Sequence, residues 1–265
     1  MKMPEIARYF KIWLKMSSAS FESFFVSRVG AVLFLTGKIT RFLFFFVFLL
    51  ILVRQTKALA GYDLWQVILF YLTFNFIDSA TQMLFREVYQ FRQKIISGSF
   101  DLLLVKPINT LFRSLFGWTD ILDFITLIPL ILVIVYSAIR ISKFNLLGIS
   151  LYFLLLANSM LIATSFHIIV LGFAILTTEI DHAIMIYRDF MGMGRFPINI
   201  YAEPLRSFVT FIIPVGIMMS FPVDALLQII SVKNLIISLG FGIGIFTVSI
   251  IFWRYSLKNY TSASS

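Results

Sequence analysis

Six long apolar runs, at about residues 29–53, 63–85, 114–139, 146–176, 206–222 and 233–253, leave this chain few folds to choose from. A helix needs roughly 20 apolar residues to cross the hydrocarbon of a bilayer. Within lipid it must also satisfy its own backbone amides. Composition points the same way. Of 265 residues, 60% are hydrophobic and 13% charged, with 31 Phe among them, whereas a soluble domain is about half apolar and about a quarter charged. The reading is an all-α polytopic membrane protein with six transmembrane helices, forming one domain over residues 1–265. The fourth run extends about 46 Å at 1.5 Å per residue, so it must tilt or project beyond the bilayer.

The net charge of +9 comes from Lys and Arg placed between the apolar runs rather than on one clustered surface. With both termini in the cytoplasm, the 22 basic residues divide 17 inside to 5 outside, as the positive-inside rule requires. This predicts a multi-pass protein of the inner (plasma) membrane. Trp65 and Trp253 fall near span ends, where an aromatic belt is expected, and Trp118 falls slightly inside the third run. Cys is absent, which excludes disulfides and thiolate metal sites.

Residues 4–18 have the pattern of an amphipathic interfacial helix. Arg8, Lys11, Lys15 and Ser18 recur at three- and four-residue steps on one face, and Ile6, Phe10, Trp13 and Leu14 fall on the other. The segment lacks an unbroken apolar stretch and a small-residue cleavage site, so it does not read as a cleavable signal.

The outside loops are short, whereas the segments at 86–113 and 177–205 are long and fall on the cytoplasmic side. In the segment 86–107, Arg86, Glu87, Gln90, Gln93 and Lys94 are expected to form a polar surface. Val88, Phe91, Ile95 and Ile96 form an apolar one, Gly98 is a natural C-cap and Pro107 a stop. The fifth apolar run holds Pro214 and Pro222 and is short for a crossing, with Ala225–Ile230 as a second apolar piece. A short span plus a re-entrant hairpin over 207–231 fits, as does a Pro-kinked span followed by a loop.

These features resemble the type-two ABC transporter permeases, in particular the half-size exporter permeases with six spans. The resemblance rests on Arg92, Gly98, Asp101, the step Leu102 to Leu104, and Lys106-Pro107. A second match is the run Arg195-Phe196-Pro197-Ile198-Asn199-Ile200-Tyr201 followed by Arg206, Pro214 and Pro222, where Phe196 stands in place of the usual Tyr. The resemblance implies a membrane subunit whose coupling residues (Arg86, Glu87, Gln90, Gln93, Lys94, Gly98, Asp101, Lys106 and Pro107) and N-terminal helix (Arg8, Lys11, Trp13 and Lys15) dock on a separate cytoplasmic ABC ATPase. It implies that ATP and Mg are bound by that partner, that two permeases pair as a homodimer or heterodimer among membrane lipids, and that a re-entrant hairpin at Pro214 and Pro222 forms an outer gate.

Lys38, Arg41, Asp78, Asp120, Asp123 and His167 are the ionisable groups in or near the spans. Such groups are costly in lipid and mark pathways, which makes Asp78, Asp120 and Asp123 pathway candidates. Lys38 and Arg41 can also snorkel. His167 fits a hydrogen-bonded packing residue. Glu179 and His182 have the spacing of half a di-iron site but occur once, so no metal site is expected. Gly240 and Gly244 form a GxxxG suited to close helix packing or dimerisation. No GxxxxGK[ST] and no HExxH occurs, so the chain lacks the P-loop that an ATPase of that type needs and is not expected to be an enzyme. A secondary transporter or channel would require inverted repeats or a coupled proton site, and a membrane-embedded enzyme or assembly factor a convergent polar site.

Overall fold

A computed structural model describes residues 5–26, 28–141, 145–177 and 181–262. They form helices without a strand: α1 (Glu5–Val26), α2 (Arg28–Thr56), α3 (Leu64–Phe85), α4 (Phe91–Ile96), α5 (Ser99–Leu104), α6 (Thr110–Phe116), α7 (Ile121–Ile141), α8 (Leu146–Thr177), α9 (Asp181–Gly192), α10 (Leu205–Ile212), α11 (Gly216–Leu226) and α12 (Val232–Lys258). Five are long and apolar enough to cross a bilayer, and α10 with α11 makes a sixth candidate bent by 79°.

The helices start where capping chemistry allows. Asp63 accepts from the Gln66 amide at 2.9 Å, and the Gln66 side chain accepts from the Asp63 amide, so a capping box opens α3. Ser231 caps α12 in the same sense, accepting from the Asn234 amide. Where helices pack, small and polar side chains permit the approach. Asn158 of α8 donates to the Ser238 carbonyl at 3.0 Å, and a Cβ on the facing Gly242 would overlap its amide. In lipid such a bond contributes about 1 kcal/mol.

The third span begins at Ile121, later than its apolar run, because Gly117 to Asp120 separates it from the short α6. Trp118 therefore lies in that connection and not inside the span. A Cβ added at Gly240 or Gly244 would meet no atom within 4 Å beyond its own helix backbone and chain neighbours. The two glycines do not serve packing inside the chain, and face outward.

The largest departure from the sequence reading lies between α8 and α12. The stretch 181–205 is not a loop confined to one end of the bundle. Tyr187 of α9 packs on Phe166 and His167 of α8, Arg195 lies over the rings of Phe45 and Phe74 near the middle of α2 and α3, and Asn199 donates to the Tyr62 hydroxyl at the far end. This chain segment climbs the length of the bundle. From that end α10 turns back until Val215 meets Gly194, and α11 returns until the Ala225 and Leu226 carbonyls abut Gly148 at the start of α8.

The sharp bend is at Pro214, between the two helices. Pro222 does not break the chain. It sits at the first turn of an α-helical piece directly after a π-helical turn over Gly216–Ser220, and the wider turn accommodates the missing amide. Ala225–Ile230 is likewise no separate piece, since α11 ends at Leu226 and Gln228 adopts φ +61° in the turn that follows. The α11 limb of the hairpin is covered by its own chain, whereas α10 exposes Leu205, Phe208, Phe211 and Ile212. Residues 214–223 are all buried, and α11 packs chiefly on α8, which meets the demand that irregular backbone at membrane depth be shielded from lipid.

Candidate functional site

Helix α3 does not stop at Phe85. It runs through a 3-10 turn, Arg86–Gln90, into α4, so 33 residues from Leu64 to Ile96 form one rod. That is about 50 Å at 1.5 Å per residue, some 20 Å more than hydrocarbon requires. Gly98 then reverses the chain at φ +70°, a conformation that only Gly adopts without strain, and α5 folds back beside α4. The expected coupling helix is thus two short helices around a glycine turn. Phe91 and Phe100, both fully buried, lock them edge to face at 5.1 Å. Burial of each ring contributes about 1.5–3 kcal/mol where water is the alternative.

Glu87 is not on the polar surface that the sequence suggested. It is 2% exposed, ion-paired with Lys94 and, at 3.1 Å, with Arg113 of α6. Gly117 leaves room for this triad, because a Cβ there would collide with the Arg113 guanidinium and the Glu87 carboxyl and displace them. Ile96 departs in the opposite direction and is exposed. Asp101 also points inward: its two oxygens accept from the Tyr260 hydroxyl at 2.8 Å and the Ser262 hydroxyl at 2.7 Å, tying the chain's C-terminal stretch to α5. Gln90, Gln93, Lys106 and Pro107 do face outward, together with exposed Leu102, Leu104 and Val105. Arg86 reaches back to Asp120 at 3.5 Å.

Helix α1 lies beside this assembly. Arg8 donates to the Pro107 carbonyl at 2.8 Å, and the Asn109 amide donates to the Tyr9 hydroxyl at 3.1 Å. Ser17 and Thr119 bond at 2.8 Å. Ile6, Phe10 and Leu14 form an exposed stripe, Lys11 and Lys15 lie near it, and the half-buried Trp13 ring faces Phe10. A hollow of about 560 Å³ separates the start of α1 from Leu84, Phe112 and Phe116. Both described ends of the chain therefore gather at the end of the bundle that carries α4 and α5.

Inside the bundle the three candidate carboxylates cluster around Lys38. Asp123, 1% exposed, ion-pairs with it. Asp120 accepts from the Leu122 amide and faces Arg86, and Asp78 accepts from Gln82 at 2.8 Å. Lys38 also donates to Thr126 at 3.3 Å, so it is bound to α7 rather than extended toward the interface. His167 bonds the Ala163 carbonyl at 2.8 Å and stacks among Phe85, Tyr89 and Tyr187, a packing role. Glu179 lies outside the described residues, and no group of three metal-ligating side chains occurs among the described ones.

Sequence reasoning missed two features. The first is the knot at the far end, where Tyr62 donates to Asp224 at 3.1 Å while accepting from Asn199 at 2.8 Å. The second is Arg188, which shares a cavity with Lys38, Arg41 and Gln82. Period alone could not signal either, because each joins residues more than 100 positions apart.

A family model described as ABC-2 family transporter protein matches residues 38–264, leaving only α1 and the start of α2 outside. No curated protein and no solved structure matches the chain.

Proposed function

The chain belongs to the ABC-2 transporter family and is a permease-type membrane component of an ABC transporter; on that basis we propose that it is an export permease driven through its α4–α5 tip by separate cytoplasmic ATPase subunits. Membership implies association with an ABC ATPase. ATP and Mg would be held by that partner, and two permeases, identical or paired, would line one pathway in the plasma membrane.

The tip carries this reading. It projects past the length that lipid accounts for, yet it exposes Ile96 (54%), Leu102 (65%) and Val105 (81%). Apolar side chains grouped beyond the bilayer mark a docking surface. The tip is also stiff, because Glu87, Phe91, Phe100 and Asp101 brace it against α6 and the C-terminal stretch. A stiff projection continuous with α3 transmits a partner's closing motion as a lever. The described ends of the chain lie at the same end of the bundle as the tip, which supports cytoplasmic termini.

Six crossings follow if α2, α3, α7, α8, the climbing segment from α9 to Ile200, and α12 each pass the bilayer once. The α10–α11 hairpin is then re-entrant from the outer side. Exposed Glu203 and Arg206, paired at 2.8 Å at the mouth of α10, belong at an interface and not in hydrocarbon.

Affinity purification of the full chain from its native membrane tests the proposal. A P-loop ATPase bearing an ABC signature should co-elute in stoichiometric amount, and Leu102→Asp with Val105→Asp should release it without altering membrane insertion. Absence of such a partner, or retention by the double variant, would overturn the reading.

A further inference from the structure

Two cavities meet at Lys38 and Arg41. One, of about 300 Å³, is lined by Ile39, Phe42, Pro129, Leu130 and Val133, with Asn75, Ser79 and Thr126 at its polar end. The other, of about 270 Å³, adds Gln82 and Arg188. Lys38 and Arg41 line both, whereas none of the nearby carboxylates lines either. Asp123 is spent on Lys38, Asp120 faces Arg86, and Asp78 accepts from Gln82. Among the described residues, Arg41 and Arg188 have no carboxylate within ion-pair distance. Both are exposed at the rim of the bundle, and guanidinium groups without a carboxylate partner beside an apolar cavity at headgroup level attract an anion. Guanidinium groups suit a phosphate or carboxylate oxygen pair.

We propose that this paired cavity binds an anionic amphiphile, its phosphate or carboxylate headgroup held by Arg41 and Arg188 and its hydrocarbon tail lying between α2 and α7. The tail's place follows from the walls, because the first cavity is apolar and two of its wall residues, Ile39 and Val133, are themselves exposed at its mouth. The headgroup level follows from position: Gln82 lies one turn from the end of α3, and Thr126 is in the second turn of α7. That is the level of the inner leaflet in the orientation proposed above. The inference deepens the permease reading by naming its cargo class, yet binding itself requires no ATPase.

Native mass spectrometry of the purified full chain in non-ionic detergent provides the test, with dioleoylphosphatidylglycerol and dioleoylphosphatidylcholine as probes. Wild type should prefer the anionic lipid by about tenfold or more, the effect of one charge-assisted contact. Arg41→Gln with Arg188→Gln should abolish the preference, Arg41→Lys with Arg188→Lys should keep most of it, and the distant Lys233→Gln should not change it. Lys38 is left intact because it holds Asp123. Millimolar inorganic phosphate should not displace the lipid; displacement would show a site for free phosphate and overturn the amphiphile. Equal binding of both lipids, or an unchanged preference in the Gln variant with an unchanged melting temperature, would also overturn it. Loss of the ATPase partner with the lipid preference intact would instead count against the permease reading alone.

Discussion

The Tyr260 hydroxyl donates to the Asp101 carboxylate at 2.8 Å, joining the end of the chain to the tip of its longest projecting rod. Tyr260 also packs edge to face on Phe100 at 5.0 Å. The contact unites the residue that the family resemblance placed in the coupling motif with a stretch to which the sequence assigned no role.

Releasing this contact should free the chain end without unfolding the bundle. Tyr260→Phe removes one hydrogen bond, worth about 1 kcal/mol, and should raise the rate of carboxypeptidase trimming several-fold. Burial, and then the Asp101 bond, push the Tyr260 hydroxyl up to about 12 from 10. The folded state therefore holds this proton more tightly than the unfolded chain does. The stabilisation is complete below about pH 10 and is lost as pH rises toward about 12. In near-ultraviolet titrations, the tyrosinate signal lost in Tyr260→Phe should be one with a midpoint near 12. A lost signal near 10 would remove the contact from solution.

Glu87 and the glutamines beside it should behave oppositely. Glu87→Ala strands the partly buried Lys94 and Arg113 charges and should cost about 2–3 kcal/mol, a buried-pair penalty reduced for the partners' partial exposure. A depressed melting temperature in detergent would register it. Gln90→Ala with Gln93→Ala lies on the exposed side and should leave stability within about 0.5 kcal/mol while weakening retention of the ATPase. If the glutamine pair melts early and the Glu87 variant does not, the assignment of inner and outer faces is wrong.

How far the sequence carried depends on where the signal was local. Spans α3, α8 and α12 were legible because each is one long apolar run, and α2 was legible in its apolar half although Lys38 and Arg41 interrupt it and blur its entry point; Gly98 was legible because a turn of this hand demands glycine. The climbing segment was not legible. Asp181–Gly192 carries Arg188 and Asp189, so hydropathy assigns it to water, and only its contacts with Phe166, Phe45 and Tyr62 reveal its course. Glu87 misled for a related reason. A charge on a helix reads as exposed unless its partners are known, and Arg113 is 26 positions away. The pathway candidates Asp78, Asp120 and Asp123 were brought together around Lys38, but as partners of cations and amides rather than as free groups.

Because the chain has no native cysteine, single cysteines can follow its course through the membrane. Gln55→Cys should react with an impermeant maleimide in intact cells, and Thr261→Cys should not until the cells are opened. Ala202→Cys separates two descriptions of the fifth crossing. On the Lys/Arg count it belongs with Thr261, whereas the Asn199–Tyr62 bond sets it at the other end of the bundle. It should label with Gln55, and labelling with Thr261 would restore the inner loop.

The knot at Tyr62 should hold the hairpin shut. Tyr62 sits before α3, Asp224 near the end of α11 and Asn199 at the end of the climbing segment, so one hydroxyl ties the hairpin to the two elements beside it. Below it, Ser220 is 2% exposed, and its hydroxyl accepts from the Ile198 amide across the same seam at 3.1 Å. Ser220 and Ala225 are too buried in their own chain to cross-link two permeases, so the informative reagent is one that senses opening within one chain. Tyr62→Phe removes both bonds and keeps the ring against Phe70, at a cost of about 1–3 kcal/mol. Ser220→Cys should be nearly inert to external maleimide in the wild-type background and react several-fold faster beside Tyr62→Phe. Trapping ATP on the ATPase should change the first rate more than the second, since the second is already released. If Ser220→Cys reacts equally with and without the Tyr62 hydroxyl, the knot does not hold the hairpin, and α10 with α11 is a fixed wall rather than a gate.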